Sequence, residues 1–236
     1  EEIMTDRLFE PRYGRLEDAA LLTGKGRYVD DIHLPGMLEV AFVRSPHGHA
    51  HVRSIDTKAA LALPGVLAVY THADVVQALT SDHIPPDELV ESFPTTTWPY
   101  ILPEDEVCFV GEAVAAVVAE NRYIAEDAAA LVMVDYEPLP VVSNCREAAE
   151  PGSPTVHRHA DGNIVSQFTI EYGDVDQAFS EAAHVFSFSL NQHRGGAHSI
   201  EGRGVVANYD ANAHQLTIWA STQTAYKSRD AAVELF

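Results

Sequence analysis

HRGGAHSIEGRGVVANYDANAHQLTIWASTQ, residues 193–223, is the stretch around which the rest of the chain is read. Two glycine clusters, Gly195-Gly196 and Gly202-Arg203-Gly204, flank His198-Ser199-Ile200-Glu201. Freely bending backbone and polar side chains are thereby concentrated where a cavity wall would form. The apolar runs Val205 to Tyr209 and Leu216 to Ala220 read as two strands joined by a turn beginning at Asp210. Ser221-Thr222-Gln223 follows the second strand, and Ala225 to Phe236 reads as a helix. A glutamine at such a junction presents its amide beside helix N–H groups that lack intrahelical acceptors, a place suited to an anionic or oxo-bearing ligand.

Immediately upstream, His184 to Leu190 and Phe168 to Tyr172 alternate like strands, and Asp174 is positioned to cap a helix running to about Ala183. Ser143 to Gln167 carries Pro151-Gly152-Ser153-Pro154 and Asp161-Gly162-Asn163 and has no long periodic element, so it reads as a linker. Before it lie apolar runs expected to be strands: Met37 to Val43, Ala50 to Ile55, Val66 to Tyr70, Val114 to Val118 and Val132 to Tyr136. Helices are expected over Arg15 to Leu22, Lys58 to Leu63 with Thr57 as N-cap, His72 to Leu79, and Tyr123 to Leu131 capped near Asn121. The strand, helix, strand order of residues 50–70 recurs at 114–136. Thr80 to Asp105 interrupts the pattern with five prolines and reads as an extended excursion. Its Trp98 and Tyr100 are expected in a local hydrophobic cluster, with docking to a neighbour as the other reading.

Composition narrows the function classes. Hydrophobic residues make up 46% and charged residues 21%, an ordinary globular balance. The formal net charge of -20 disfavours nucleic acid and anionic membrane surfaces as partners. The two cysteines, Cys108 and Cys145, fall in no metal or iron-sulfur spacing, and buried free thiols are expected. No apolar segment reaches the length of a membrane span and the first residues are acidic, so a cytoplasmic protein is expected.

The run His193 to Ala207 and the run Leu216 to Gln223 resemble the large, molybdopterin-binding subunit of the molybdenum hydroxylases: the xanthine dehydrogenase, aldehyde oxidase and carbon monoxide dehydrogenase family. Gly24-Lys-Gly-Arg-Tyr-Val-Asp-Asp-Ile, Arg44-Ser-Pro-His-Gly-His-Ala and Val110-Gly-Glu-Ala-Val-Ala resemble the same family's amino-terminal domain, in the same order. The resemblance implies an α+β chain: an irregular lead-in at 1–13, an α/β hammerhead domain at 14–142, a linker at 143–167, and at 168–236 the start of a molybdopterin-binding α/β domain. It implies oxidative hydroxylation of an aldehyde, purine or N-heteroaromatic substrate with water-derived oxygen. Carbon monoxide is the least expected substrate, since the family's copper-binding cysteine loop is not visible.

Residue by residue, Gln223 matches the family glutamine near the molybdenum, whose amide would hydrogen-bond an oxo group. Gly195 and Gly196 match a segment near the cofactor, and His198 and Glu201 fall in the turn beside the substrate pocket. The cofactor would be molybdopterin, in its cytosine dinucleotide form, shared with a partner chain; 2Fe-2S and FAD would sit on iron-sulfur and flavin partner subunits. The family's base glutamate is expected beyond Phe236, so no catalytic residue is assigned and the chain is expected to be inactive alone. An assembly module that docks the other subunits is the alternative, and it would expose an apolar face.

Each candidate also has a structural reading. Glu201 with Arg203 reads first as an ion pair anchoring a turn. His193 and His198 are expected to be hydrogen-bonded structural histidines. His47, His49 and His51 alternate as a zinc set would, yet the turn residues Pro46 and Gly48 favour a solvent-facing polar patch. Gly111-Glu112 reads as a tight turn with a surface acid, and the glycine spacing around Lys25-Gly26-Arg27 is wrong for a phosphate loop. A hydrolase built on Ser199, His198 and Glu201 ranks last, because neighbours on one turn do not line up as nucleophile, base and orienter.

Overall fold

The computed structural model describes residues 15–85, 95–193, 195–196 and 198–236. The expected lead-in at 1–13 lies outside these residues. In chain order the elements are α1 (Asp18–Leu22), β1 (Glu39–Arg44), β2 (Ala50–Asp56), α2 (Lys58–Leu61), β3 (Val66–Tyr70), α3 (His72–Val75), β4 (Glu106–Val107), β5 (Ala113–Ala119), α4 (Arg122–Leu131), β6 (Met133–Pro138), α5 (Cys145–Ala148), α6 (Val175–Glu181), β7 (Val205–Asp210), β8 (Gln215–Ala220) and α7 (Ala225–Leu235). Two compact units are present: one joins the described residues up to Pro35 with Gly195–Ala225, the other those between Gly36 and Arg194 with Tyr226–Phe236.

The larger unit holds two antiparallel sheets of three strands, ordered β1-β5-β3 and β4-β2-β6. The repeated strand, helix, strand order has a definite topological meaning. β2-α2-β3 starts in the second sheet and ends in the first, whereas β5-α4-β6 starts in the first and ends in the second. The two arms therefore cross-pair, with Ile55 opposite Val134 and Val69 opposite Val117. β5 is the central strand of its sheet, and Val114, Ala115, Val117 and Ala119 have no exposed surface. Its run of Ala and Val satisfies both faces of a covered sheet.

α4 closes the first sheet. Ala125 and Ala128 are its buried positions, one turn apart, and their small side chains let the helix lie close to the strands. Asn121 caps it as expected, its side-chain oxygen accepting Ile124 N–H at 3.0 Å, an arrangement worth about 1 kcal/mol. The expected Thr57 cap of α2 is absent; Thr57 has helical backbone angles and makes no side-chain cap bond. The carboxylate of Asp56 takes the Lys58 N–H instead, at 3.0 Å.

Two expected strands are not formed. Phe168 to Tyr172 and His184 to Leu190 belong to no sheet among the described residues. Their alternating apolar side chains face outward, with Ile170 80% and Phe188 83% exposed. A strand exists only through its ladder, and alternation without a partner does not create one. Asp174 does cap the intervening helix, accepting Gln177 N–H at 2.8 Å.

Three local expectations are also overturned. His49 is buried rather than solvent-facing, its Nδ1 2.9 Å from the Pro140 carbonyl. Glu112 is buried too, and its carboxylate accepts Cys108 N–H at 2.6 Å. Gly111, at φ 90°, supplies the left-handed turn that carries the acid inward. Both cysteines are free, but Cys145 is exposed.

Candidate functional site

The smaller unit contains every residue singled out for the cofactor and pocket. β7 and β8 form an antiparallel hairpin with Val205 opposite Ala220. The Asp210 carboxylate shapes its turn, accepting Asn212 N–H at 2.9 Å, and His214 takes the positive φ of 50° that closes it. At the open end the ladder runs one step further, because Ser221 N–H donates to the Gly204 carbonyl at 3.1 Å. The Ser221 hydroxyl then accepts Gly204 N–H at 2.8 Å and donates to the Gly202 carbonyl at 3.0 Å.

Glu201 is placed by a contact far away in sequence. Its Oε1 accepts the Val29 N–H at 3.1 Å. Val29 opens the single 3₁₀ turn Val29–Asp31, which is itself held by the Asp31 carboxylate accepting Tyr28 N–H at 2.9 Å. Among the described residues Glu201 makes no ion pair with Arg203. Gly204 packs so closely on this turn that a Cβ would lie 3.0 Å from Val29 Cγ1.

Gly195, Gly196, His198 and Gln223 are exposed. Gly196 accepts His198 N–H at 3.0 Å in a tight local turn, and the Ser199 hydroxyl donates to the Glu201 carbonyl at 2.7 Å. That bond commits the hydroxyl to backbone, away from any imidazole, which counts against the hydrolase reading. Gln223 lies between the Ser221 bonds and the first turn of α7, with Thr222 Oγ1 accepting Thr224 N–H at 3.1 Å beside it.

These residues fit an anionic pterin cofactor. A Cβ at Gly202 would meet nothing within 4 Å, and one at Gly196 would meet only the His198 ring, so backbone here is open to close approach by a ligand. Among the described residues no group of three or more His, Cys, Asp or Glu could hold a metal ion.

The larger unit has a cavity of about 240 Å³, which the sequence did not indicate. Trp98, Tyr100, Cys108, Glu112, His157 and Arg158 line it. Burial pushes the Cys108 thiol up to about 12, with the Glu112 and Glu106 carboxylates adding to the shift. Burial likewise raises the Glu112 carboxyl and lowers the His157 imidazole, whose Nδ1 lies 3.5 Å from Cys108 Sγ. Tyr100 packs against histidines, with the His83 ring 4.0 Å and the His72 ring 6.0 Å from it. No signal in sequence joins residues 98, 108 and 157; only folding does.

Residues 23–140 match the a/b hammerhead domain of aldehyde oxidase and xanthine dehydrogenase, and residues 156–236 match the molybdopterin cofactor-binding domain. The chain belongs to the aldehyde oxidase and xanthine dehydrogenase family, as the resemblance implied. It is 40% identical over 220 residues to the nicotine 6-hydroxylase large subunit of Paenarthrobacter nicotinovorans, covering 93% of this chain and 26% of that one. It is 38% identical over 228 residues to the carbon monoxide dehydrogenase large chain of Afipia carboxidovorans, covering 91% of this chain and 27% of that one. Among solved structures, quinoline 2-oxidoreductase from Pseudomonas putida 86 superposes with a TM-score of 0.78 at 42% identity, over 89% of this chain and 26% of its own. The chain thus spans about a quarter of the length of these relatives. Among the described residues no helix is long and apolar enough to cross a membrane.

Proposed function

We propose that this chain forms the hammerhead portion and the first part of the cofactor-binding portion of a molybdenum-dependent hydroxylase large subunit. The observation that carries this reading is Gln223, held exposed between the Ser221 hydrogen bonds and α7. Gln223 would donate its amide to the molybdopterin, the open backbone at Gly202 would admit the pterin beside Gly195 and Gly196, and His198 and Glu201 would border the substrate. The bound cofactor supplies oxidative hydroxylation with water-derived oxygen. The chain's own contribution is to bind and orient.

The named relatives include a nicotine hydroxylase and a carbon monoxide dehydrogenase at 40% and 38% identity, so similarity alone does not rank these substrates. The family resemblance suggests an aldehyde, purine or N-heteroaromatic, with electrons leaving through 2Fe-2S and FAD centres on partner subunits and the cofactor in its cytosine dinucleotide form. The strong acidity and the free thiols support a cytoplasmic setting. The domain partition at residues 14–142 and 168–236 belongs to the same reading.

The test is metal and pterin content of the protein purified from its native host together with its co-purifying chains. About one molybdenum per chain is expected, as one pterin carries one metal. Protein lacking both metal and pterin sinks the reading. A second reading, assembly without cofactor binding, draws on the outward apolar side chains of residues 168–190, among them Phe168 at 74% and Leu190 at 89% exposed. It predicts co-purifying chains with no metal on this one.

A further inference from the structure

We infer that Ser221 is the positioning residue for Gln223: its hydroxyl fixes the strand end against the Gly202–Gly204 loop and thereby sets where the glutamine amide points. This rests on the proposed role of Gln223 toward the cofactor and adds the device that aims it.

The β7–β8 ladder ends at the Val205 and Ala220 pair. An unsupported strand end frays, and a glutamine three residues beyond it would sample many directions. Here one side chain replaces the missing ladder. A serine hydroxyl has one proton and two lone pairs. The proton goes to the Gly202 carbonyl at 3.0 Å, a lone pair takes the Gly204 N–H at 2.8 Å, and the Ser221 N–H reaches the Gly204 carbonyl at 3.1 Å. Both backbone polar groups of Gly204 are therefore engaged by the same residue.

The loop held in this way is anchored at its other end. Glu201 Oε1 takes the Val29 N–H at 3.1 Å, and Gly204 abuts Val29 so that a Cβ would lie 3.0 Å from its Cγ1. Glu201 to Gly204 is thus fixed by the Tyr28–Asp31 turn on one side and by Ser221 on the other. Beyond Ser221 the chain has only Thr222 before Gln223, and the Thr224 N–H bond to Thr222 Oγ1 turns it into α7. The backbone on both sides of Gln223 is thus held by short, directional bonds, which fixes where its side chain starts. Ser221 acts through backbone: its proton is given to the Gly202 carbonyl, so it has none left to donate to a ligand.

The experiment uses the full-length holoenzyme with its partner subunits and four variants: Ser221→Ala, Ser221→Thr, Gln223→Ala, and the double Ser221→Ala/Gln223→Ala. Readouts are kcat, KM, molybdenum and pterin per chain, thermal midpoint, and the electron paramagnetic resonance line shape of the partly reduced enzyme. Misaiming one catalytic-site donor is expected to lower kcat on the order of tenfold to a hundredfold in Ser221→Ala, with KM little changed. Metal content is expected to persist, the line shape to shift in the same sense as in Gln223→Ala, and Ser221→Thr, which keeps the hydroxyl, to restore both. The double variant is expected to be no slower than Gln223→Ala, because the two act as one unit.

If Gln223→Ala changes neither rate nor line shape while metal stays bound, the reading of Gln223 itself fails. If Gln223→Ala has its effect but Ser221→Ala does not, or the two effects simply multiply, the positioning role of Ser221 is overturned. Loss of folded, metal-loaded protein in Ser221→Ala overturns it also, since the serine would then hold the fold and not the aim.

Discussion

His49 Nε2 lies 2.9 Å from Glu106 Oε1 inside the second sheet, with both side chains at or below 10% exposure. The other ring nitrogen faces the Pro140 carbonyl at 2.9 Å, so the imidazole bridges the β4 edge and the end of β6 across β2. A buried polar group with both nitrogens engaged is costly to break on one side only. His49→Ala is expected to destabilise the protein by about 2 kcal/mol, since it removes the nearer partner of a largely buried carboxylate and leaves it only the Arg158 guanidinium, 3.8 Å away. Glu106→Gln, which keeps a hydrogen-bonding side chain, is expected to cost less than half as much. Denaturant midpoints of the two variants check this, and equal losses would overturn it.

The reading of His49 also shows where sequence information stopped. Alternation placed residues 47, 49 and 51 on one strand face, but β2 begins only at Ala50, so His47 and His49 lie in the turn before it; the flanking Pro46 and Gly48 suggested solvent, and for His49 that was wrong. What covers the face is Pro140 and Glu106, about ninety and sixty positions away, and no local pattern encodes them. Val66–Tyr70 was legible to the residue, and the cap of α4 to within a position of Asn121, because both depend on neighbours in the chain. Phe168 to Tyr172 and His184 to Leu190 show the converse: a strand pattern is local, but a ladder is not. In the smaller unit the position of Gln223 after β8 was legible for the first reason. The Glu201 bond to Val29 was not, being a contact across 172 positions.

The two thiols should differ in reactivity. Cys108 is half-buried with its thiol pushed up to about 12, and Cys145 is exposed on a short helix. Only the thiolate is nucleophilic, so at pH 8 Cys108 is held in its unreactive form. One thiol per folded chain is expected to react quickly with a colorimetric disulfide reagent, and Cys145→Ser is expected to abolish that fast phase. The second thiol is expected to appear only in denaturant. Fast reaction persisting in Cys145→Ser would contradict the burial of Cys108.

Two glycines at positive φ separate strain from crowding. Gly36, at φ 73°, faces open space, whereas a Cβ on Gly65, at φ 88°, would lie 2.7 Å from Ile124 Cδ1 on α4. Gly36→Ala is expected to cost about 1 kcal/mol from backbone strain alone. Gly65→Ala carries that strain and also makes the tip of the Ile124 side chain on α4 swing aside, for about 1.5–2 kcal/mol in total. The difference should be visible as a thermal midpoint lower in Gly65→Ala than in Gly36→Ala. A reversed order would mean that Ile124 moves aside freely.

Glu112 gives a pH dependence with a definite sign. Burial is the largest influence and raises its carboxyl above the ordinary 4.5, against the lowering effect of the Cys108 and Phe109 N–H groups. With the folded value above the unfolded one, the native state binds more protons between the two, so stability falls as pH rises through that window. Below 4.5 the group is protonated in both states and contributes no slope. Glu112→Gln keeps an oxygen for the Cys108 N–H and removes the buried charge. Its stability relative to the parent is therefore expected to rise as pH goes from 4 to 8, measured by urea unfolding at each pH. A relative stability that is flat or falling across this range would show that the N–H groups, and not burial, dominate at this carboxylate.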